Sequence, residues 1–244
     1  MVGLSSIIVS MNQFSAHPGQ PHRSHRGNWL RASVLGVDDG IVSVSSLMLG
    51  VSTAHANSSI ILTAGIAGLV AGALSMATGE YVSVSSQRDS EKADILMETR
   101  SLEDNPDEEL AELTAIYEHR GLDPKLAKAV AEQLHAHDAV SAHLRDEIGI
   151  DGDSLARPAQ AALASALAFS IGAIVPIIAT LAVNGNTKIL AIVIASLVAL
   201  GISGAIGALL GGGNRLWAAA RVFIGGGAAM AITALIGHVI GRSV

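Results

Sequence analysis

The chain has 244 residues, of which half are hydrophobic, 3% aromatic and 15% charged, against about a quarter charged in soluble domains. This composition excludes a disordered chain and argues against an ordinary soluble globule. A net charge of −6 argues against general nucleic-acid binding, and the lack of cysteine excludes disulfides, zinc–thiolate sites and iron–sulfur clusters.

Residues 1–26 read as a flexible tail. The first 20 residues lack the basic region of a signal peptide, and Ser-Met-Asn-Gln interrupts their short apolar run. His17, His22 and His25 belong to this tail. The first apolar span is expected at about 32–53 and the second at about 60–84, separated by Ala-His-Ala-Asn-Ser-Ser. Ala32 to Gln87 contains no Lys or Arg. Residues 88–157 then hold 18 of the 21 acidic side chains and 8 of the 15 basic ones. Span two is expected to continue as a helix through Gln87–Arg100, with Glu91, Asp94 and Glu98 on one face. Asn105-Pro106 breaks it. A second helix is expected over Asp107–His119, with Glu109 and Glu112 one turn apart. Gly121–Pro124 breaks again, and a third helix is expected over Lys125–Glu147. It carries Glu132, His135 and His137, with His143 one turn before Glu147. Three further spans follow at about 159–183, 189–210 and 219–240. Uncharged apolar runs of 20 or more residues are the length that crosses a bilayer. The expected fold class is therefore all-α: five transmembrane helices with a cytosolic, helical, acidic insert between spans two and three. The expected domains are the tail 1–26, spans one and two at 27–87, the insert at 88–157 and spans three to five at 158–244.

Orientation follows from the basic residues. A five-span threading leaves 13 on one side and only Lys188 and Arg242 on the other. The positive-inside rule puts the N-terminus and insert in the cytosol and the C-terminus outside.

Three acids fall inside spans: Asp38, Asp39 and Glu80. A carboxylate in a membrane span costs a few kcal/mol and is a functional candidate. Asp39 lies about 10 Å from the cytosolic end of span one, and Met76 about 12 Å from that of span two, at 1.5 Å per residue. The two can therefore meet at one level, with Glu80 one turn nearer the cytosol on the face of Met76. Gly36, Asp39, Gly40, Ser43, Ser46 and Gly50 form a small, polar stripe on span one. Gly65, Gly68, Gly72, Ser75, Met76, Gly79 and Ser83 form another on span two. Such stripes fit either close helix packing or a hydrophilic path. Asp38 points about 100° away from Asp39 and reads as structural or interfacial. In the insert, Glu and His at helical spacing on several helices are how carboxylate metal sites are built. Oxygen and imidazole ligands suit iron and manganese. A merely solvated acidic domain is the alternative.

The stretches HRGNWLRASVLGVDDGIVSVSSLMLG (25–50) and GALSMATGEYVSVSSQ (72–87) closely resemble the vacuolar iron transporter family, whose yeast branch is the calcium-cross-complementing transporter. The Asp-Ser-Glu-Lys-Ala-Asp run, the acidic insert and Pro176 in span three fit as well, so the resemblance covers about 25–244. The short loops resemble a compact bacterial-type member. The resemblance implies a homodimer of five-span subunits with a metal path near the dimer interface. It implies Fe²⁺ transport out of the cytosol, with Mn²⁺ in some members, coupled to proton entry. It implies no enzymatic activity and no cofactor beyond the transported metal. The implied partners are divalent metal ions, protons, a second copy of the chain and the lipid bilayer, here a bacterial inner membrane. By the same resemblance Asp39 and Met76 occupy pathway positions, with Glu80 beside them. Glu98, Glu109, Glu112 and Glu147 fall on metal-binding glutamate positions of the insert. The chain departs from the family at Gly68, where plant members carry a glutamate, and at Ser101, where an insert glutamate is replaced. It departs again at His143-Leu144, which replaces a methionine pair, so that His143 is expected to ligate in place of a thioether. Two further readings are a membrane-anchored metal buffer or sensor without transport, and a ferritin-like oxidase insert.

Overall fold

The computed structural model describes residues 27–54, 57–150, 155–183 and 185–242. The tail 1–26, His55 and residues 151–154 lie outside them. Among the described residues all regular structure is helical: α1 (Gly27–Thr53), α2 (Ser58–Asp104), α3 (Pro106–His119), α4 (Pro124–His143), a π-helical turn (Leu144–Ile148), α5 (Pro158–Leu181), a 3₁₀ turn (Gly185–Thr187), α6 (Lys188–Gly211) and α7 (Arg215–Gly241). Five of these, α1, α2, α5, α6 and α7, are long and apolar enough to cross a membrane. The protein is an integral membrane protein.

The chain forms two compact units. One comprises the described residues up to Leu74 together with those from Ser165 onward; the other is Ser75–Ala164.

In the first unit, α1, α6 and α7 pack on one another. Ile41, Val44, Met48 and Leu49 of α1 are buried at helical spacing, and Ile192, Leu200 and Met230 are buried on α6 and α7. The outward faces are apolar too. On α5, Leu167, Ile171, Ile174, Ile178 and Leu181 are exposed, while Ala168, Phe169 and Ala173 are buried. Large aliphatics on the outward face are what lipid, rather than water, rewards. Helix ends follow from local chemistry. Asn57 Oδ1 accepts from Ile60 N at 3.0 Å at the start of α2, and Asn214 Oδ1 accepts from Leu216 N at 3.0 Å and Trp217 N at 3.2 Å at the start of α7. Gly212, at φ +81°, ends α6 in the left-handed conformation that glycine adopts freely.

The small-residue stripe on α1 is used largely for packing. A Cβ on Gly40 would run into the carbonyl oxygen of Phe169, and one on Gly172 into that of Val37. The backbones of α1 and α5 approach there too closely for any side chain. Gly65, Gly68 and Gly72 of α2 lie against Met48, Leu47 and Phe169. Gly79 has nothing within 4 Å.

The second unit has its own core: Leu113, Tyr117, Ala127, Ala131 and Ala142, flanked by Leu110, Leu122, Val130 and Leu134. It joins α3 and α4. The long helix expected over Lys125–Glu147 is not uniform. Asp138 adopts an extended backbone (φ −161°, ψ 93°), and its carboxylate accepts from Ser141 N at 3.0 Å and Ser141 Oγ at 2.7 Å. It thus restarts the helix as an N-cap would. Six residues later the chain widens into the π turn, closed by Gly149 at φ +77°.

Candidate metal site in the acidic segment

Glu98 comes from the polar end of α2, Glu109 from the first turns of α3, His143 from the end of α4 and Glu147 from the π turn. One ligating atom from each lies within 4.8 Å of all the others. His143 Nδ1 is 3.1 Å from Glu98 Oε1, 3.3 Å from Glu147 Oε2 and 3.7 Å from Glu109 Oε2. Their side chains are 0% (His143), 7% (Glu98), 14% (Glu109) and 30% (Glu147) exposed.

One ring nitrogen cannot serve three carboxylates. The hydrogen-bonding geometry goes to Glu147. Glu98 Oε1, though near the ring, is left buried without a hydrogen bond, as is His143 Nε2. Burial pushes the Glu98 carboxyl above the usual range; repulsion by Glu147 adds to this and His143 partly offsets it. Burial likewise raises Glu109, with His143 lowering it and Glu112 and Glu147 repelling it. Three carboxylates around one imidazole, with an oxygen unpaired in the interior, form a donor set short of positive charge. A divalent cation would supply it, and oxygen with imidazole is the donor chemistry of iron and manganese.

Glu112 is exposed on α3. It acts on Glu98 and Glu109 through its charge but is not one of the four converging groups. Glu91 has other work: its carboxylate accepts from Gln87 Nε2 at 2.8 Å and Ala156 N at 3.0 Å. His135 stands edge-on to His143, ring centroids 6.0 Å apart. Glu132 pairs with Lys128, and His137 is exposed.

Residues that sequence reasoning did not single out hold this site in place. The Asp146 carboxylate accepts from Tyr117 Oη at 2.6 Å, Arg120 Nη1 at 2.7 Å and Arg145 Nη2 at 2.8 Å. Arg120 Nη2 also donates to the Asp146 carbonyl at 2.7 Å. Burial pushes Asp146 up, but the hydrogen bonds from Arg145, Tyr117 and Arg120 outweigh it and hold the carboxyl well below the usual range. This clamp ties the π turn to the end of α3, between the backbone atoms of His143 and Glu147. The one sequence signal for it is Gly149, a helix-ending residue just past Glu147.

The membrane acids are placed as follows. Asp39 is half-buried on α1 and accepts from Ser43 Oγ, one turn on, at 2.9 Å. Asp38 hydrogen-bonds Ser203 of α6 and keeps a buried Oδ1 without a partner. Met76 and Glu80 are half-buried on α2, in the second unit.

Comparison with known proteins adds the following. The sequence model of the VIT family matches residues 30–238. The chain is 46% identical over 227 residues to a vacuolar iron transporter of Acanthamoeba castellanii, covering 92% of this chain and 84% of that one. It is 40% identical over 209 residues to vacuolar iron transporter homolog 5 of Oryza sativa, covering 85% and 78%. It is 38% identical over 219 residues to vacuolar iron transporter homolog 2 of Arabidopsis thaliana, covering 89% and 87%.

Proposed function

The chain belongs to the VIT family, and on that premise we propose that it transports divalent metal, Fe²⁺ first and Mn²⁺ second, out of the cytosol in exchange for protons. The observation that carries this reading is the convergence of Glu98, Glu109 and Glu147 on the buried imidazole of His143. Family membership and the names of the relatives support iron as the cargo.

The chemistry follows from the donor set. Without metal, Glu98 and Glu109 hold protons more tightly than free carboxyls, because burial and the neighbouring carboxylates disfavour charge. An arriving cation displaces those protons and takes the unpaired Glu98 oxygen as a ligand. The loaded insert then delivers the ion towards Glu80, Met76 and Asp39. Asp39 ligates it within the membrane and takes a proton in its place. Glu112, exposed beside the cluster, draws cations in by its charge. The insert and the N-terminus face the cytosol, in keeping with 13 basic residues on that side and two on the other. The C-terminus faces outside, the membrane is a bacterial inner membrane, and the working unit is a homodimer.

Reconstituted protein in metal-free liposomes tests this directly. Fe²⁺ and Mn²⁺ should accumulate in the lumen, faster with a proton gradient of the right sign. Saturable binding with no luminal accumulation would instead assign the protein as a membrane-anchored metal buffer.

A further inference from the structure

A second site lies in the same unit as the acidic cluster but has the opposite charge. Arg88 on α2 and Arg157, just before α5, line one open cavity of about 510 Å³ together with Tyr81, Leu155, Pro158 and Gln160. Among the described residues no acidic side chain lines it, and neither arginine makes an ion pair. The two cations are brought together by a specific link: Glu91, one turn beyond Arg88, accepts the Ala156 amide at 3.0 Å and so fixes the strand of chain that carries Arg157. Helix α5 begins at Pro158, and its first intrahelical acceptor is the Arg157 carbonyl, taken by Ala161 N at 3.1 Å. The Ala159 and Gln160 amides therefore lack intrahelical acceptors and lie at the positive end of a 24-residue helix.

Two guanidiniums, a phenol and a helix N-terminus around one cavity recognise a phosphate ester. Its placement along the chain selects the source. Arg88 follows directly on the apolar part of α2, and Arg157 directly precedes the apolar α5, so both stand where membrane spans end. Tyr81, half exposed, is the aromatic type that populates this level of a bilayer. Leu155 and Pro158 give the cavity an apolar wall.

We propose that this cavity binds the phosphate headgroup of an acidic phospholipid, holding one lipid at the membrane end of each acidic segment. The idea concerns lipid binding alone and stands or falls independently of metal transport.

Full-length protein in nanodiscs of mixed phosphatidylglycerol and phosphatidylcholine provides the test, with retained lipid counted by native mass spectrometry. Wild type should retain phosphatidylglycerol in preference. Arg88→Gln and Arg157→Gln should each weaken that preference about tenfold, the usual worth of one charge-assisted contact. The double variant should abolish it, and the single variants decide the matter if the double one fails to insert. Arg100→Gln, which removes a charge elsewhere on α2, should leave the preference intact. Equal retention of the two lipids by wild type, or an equal loss in Arg100→Gln, would overturn the proposal. In phosphatidylcholine nanodiscs, millimolar inorganic phosphate should not stabilise wild type beyond the double variant. A stabilisation lost in the double variant, without any lipid preference, would assign the cavity to soluble phosphate instead.

Discussion

Glutamine at position 98 should make the metal-free protein more stable and the metal-bound protein less so. Glu98 is almost wholly buried, with one oxygen unpaired. Leaving such an acceptor unsatisfied costs about 1–3 kcal/mol. The glutamine amide has the same shape, carries no charge and can donate to Glu109 or Glu147. A gain on the order of 1 kcal/mol at neutral pH follows for the chelated protein. The sign with pH is set by the raised Glu98 carboxyl. The folded state holds the proton more tightly than the unfolded one, so this group favours folding most at low pH. Its contribution is lost as pH rises through the raised value. Wild type without metal should therefore lose stability from weakly acidic towards neutral pH, and Glu98→Gln should lose less. Metal reverses the order. At 100 times its Kd a cation stabilises wild type by about 2.7 kcal/mol. Removing one of four ligands should cost at least the 10–100-fold typical of an outer-shell partner. At a 100-fold loss the same concentration stabilises the variant by only about 0.4 kcal/mol. Thermal unfolding of the full-length protein, with chelator and with Mn²⁺, reads both effects. A chelated variant less stable than wild type, together with an unchanged Mn²⁺ shift, would refute the reasoning.

Breaking the clamp should act with the opposite pH sign. Asp146→Asn should cost about 1–3 kcal/mol at neutral pH, and because the native carboxyl is held low, the difference from wild type should shrink as acid protonates Asp146; chemical denaturation at several pH values measures this. Tyr117→Phe removes one of the three donors and should cost about 1 kcal/mol in the same assay. In liposome flux assays, Asp39→Asn should abolish transport while leaving membrane insertion intact, and Met76→Leu should slow Fe²⁺ more than Mn²⁺. Gly40→Ala should destabilise by roughly 1–3 kcal/mol, since its methyl meets the Phe169 carbonyl; Gly79→Ala, with open space around it, should be neutral or stabilising by about 0.5–1 kcal/mol, and melting temperatures compare the two. A cysteine at Ser101 should resist labelling from outside intact cells, and one at Ser58 should label.

The membrane helices were legible because bilayers enforce a simple rule: about 20 uncharged residues between polar breaks. The break at Asn105-Pro106 was legible for a local reason, since proline cannot continue the preceding helix. The pair His143 and Glu147 could be seen as one turn apart. That Glu98 would join them could not, because it comes from a third helix, while α3 and α4 are fixed by their own packing around Leu113, Tyr117 and Ala131. Periodicity also gave Glu91 and Glu98 equal standing on one face. The fold gives Glu91 to the Ala156 amide and Glu98 to the buried cluster. The glycine stripes were ambiguous for the same reason. Gly40 and Gly79 look alike in sequence, and only a neighbouring backbone makes one of them indispensable. The interruption at Asp138 was hidden because aspartate inside a helix and aspartate capping one differ only in a partner two or three residues on.

The π turn bears on how this chain tolerates insertion and deletion. A π turn is an α-helix with one residue too many. Here the surplus sits between His143 and Gly149, and it lets two adjacent side chains face different tasks. Asp146 reaches back to Tyr117 and Arg120, while Glu147 reaches the imidazole. Removing Leu144 would restore a regular helix and bring Asp146 and Glu147 one position closer to His143. One of the two carboxylates would then lose its partner, although no charged residue had been deleted. Loop lengths elsewhere can drift at little cost, but the spacing of this segment is counted to the single residue.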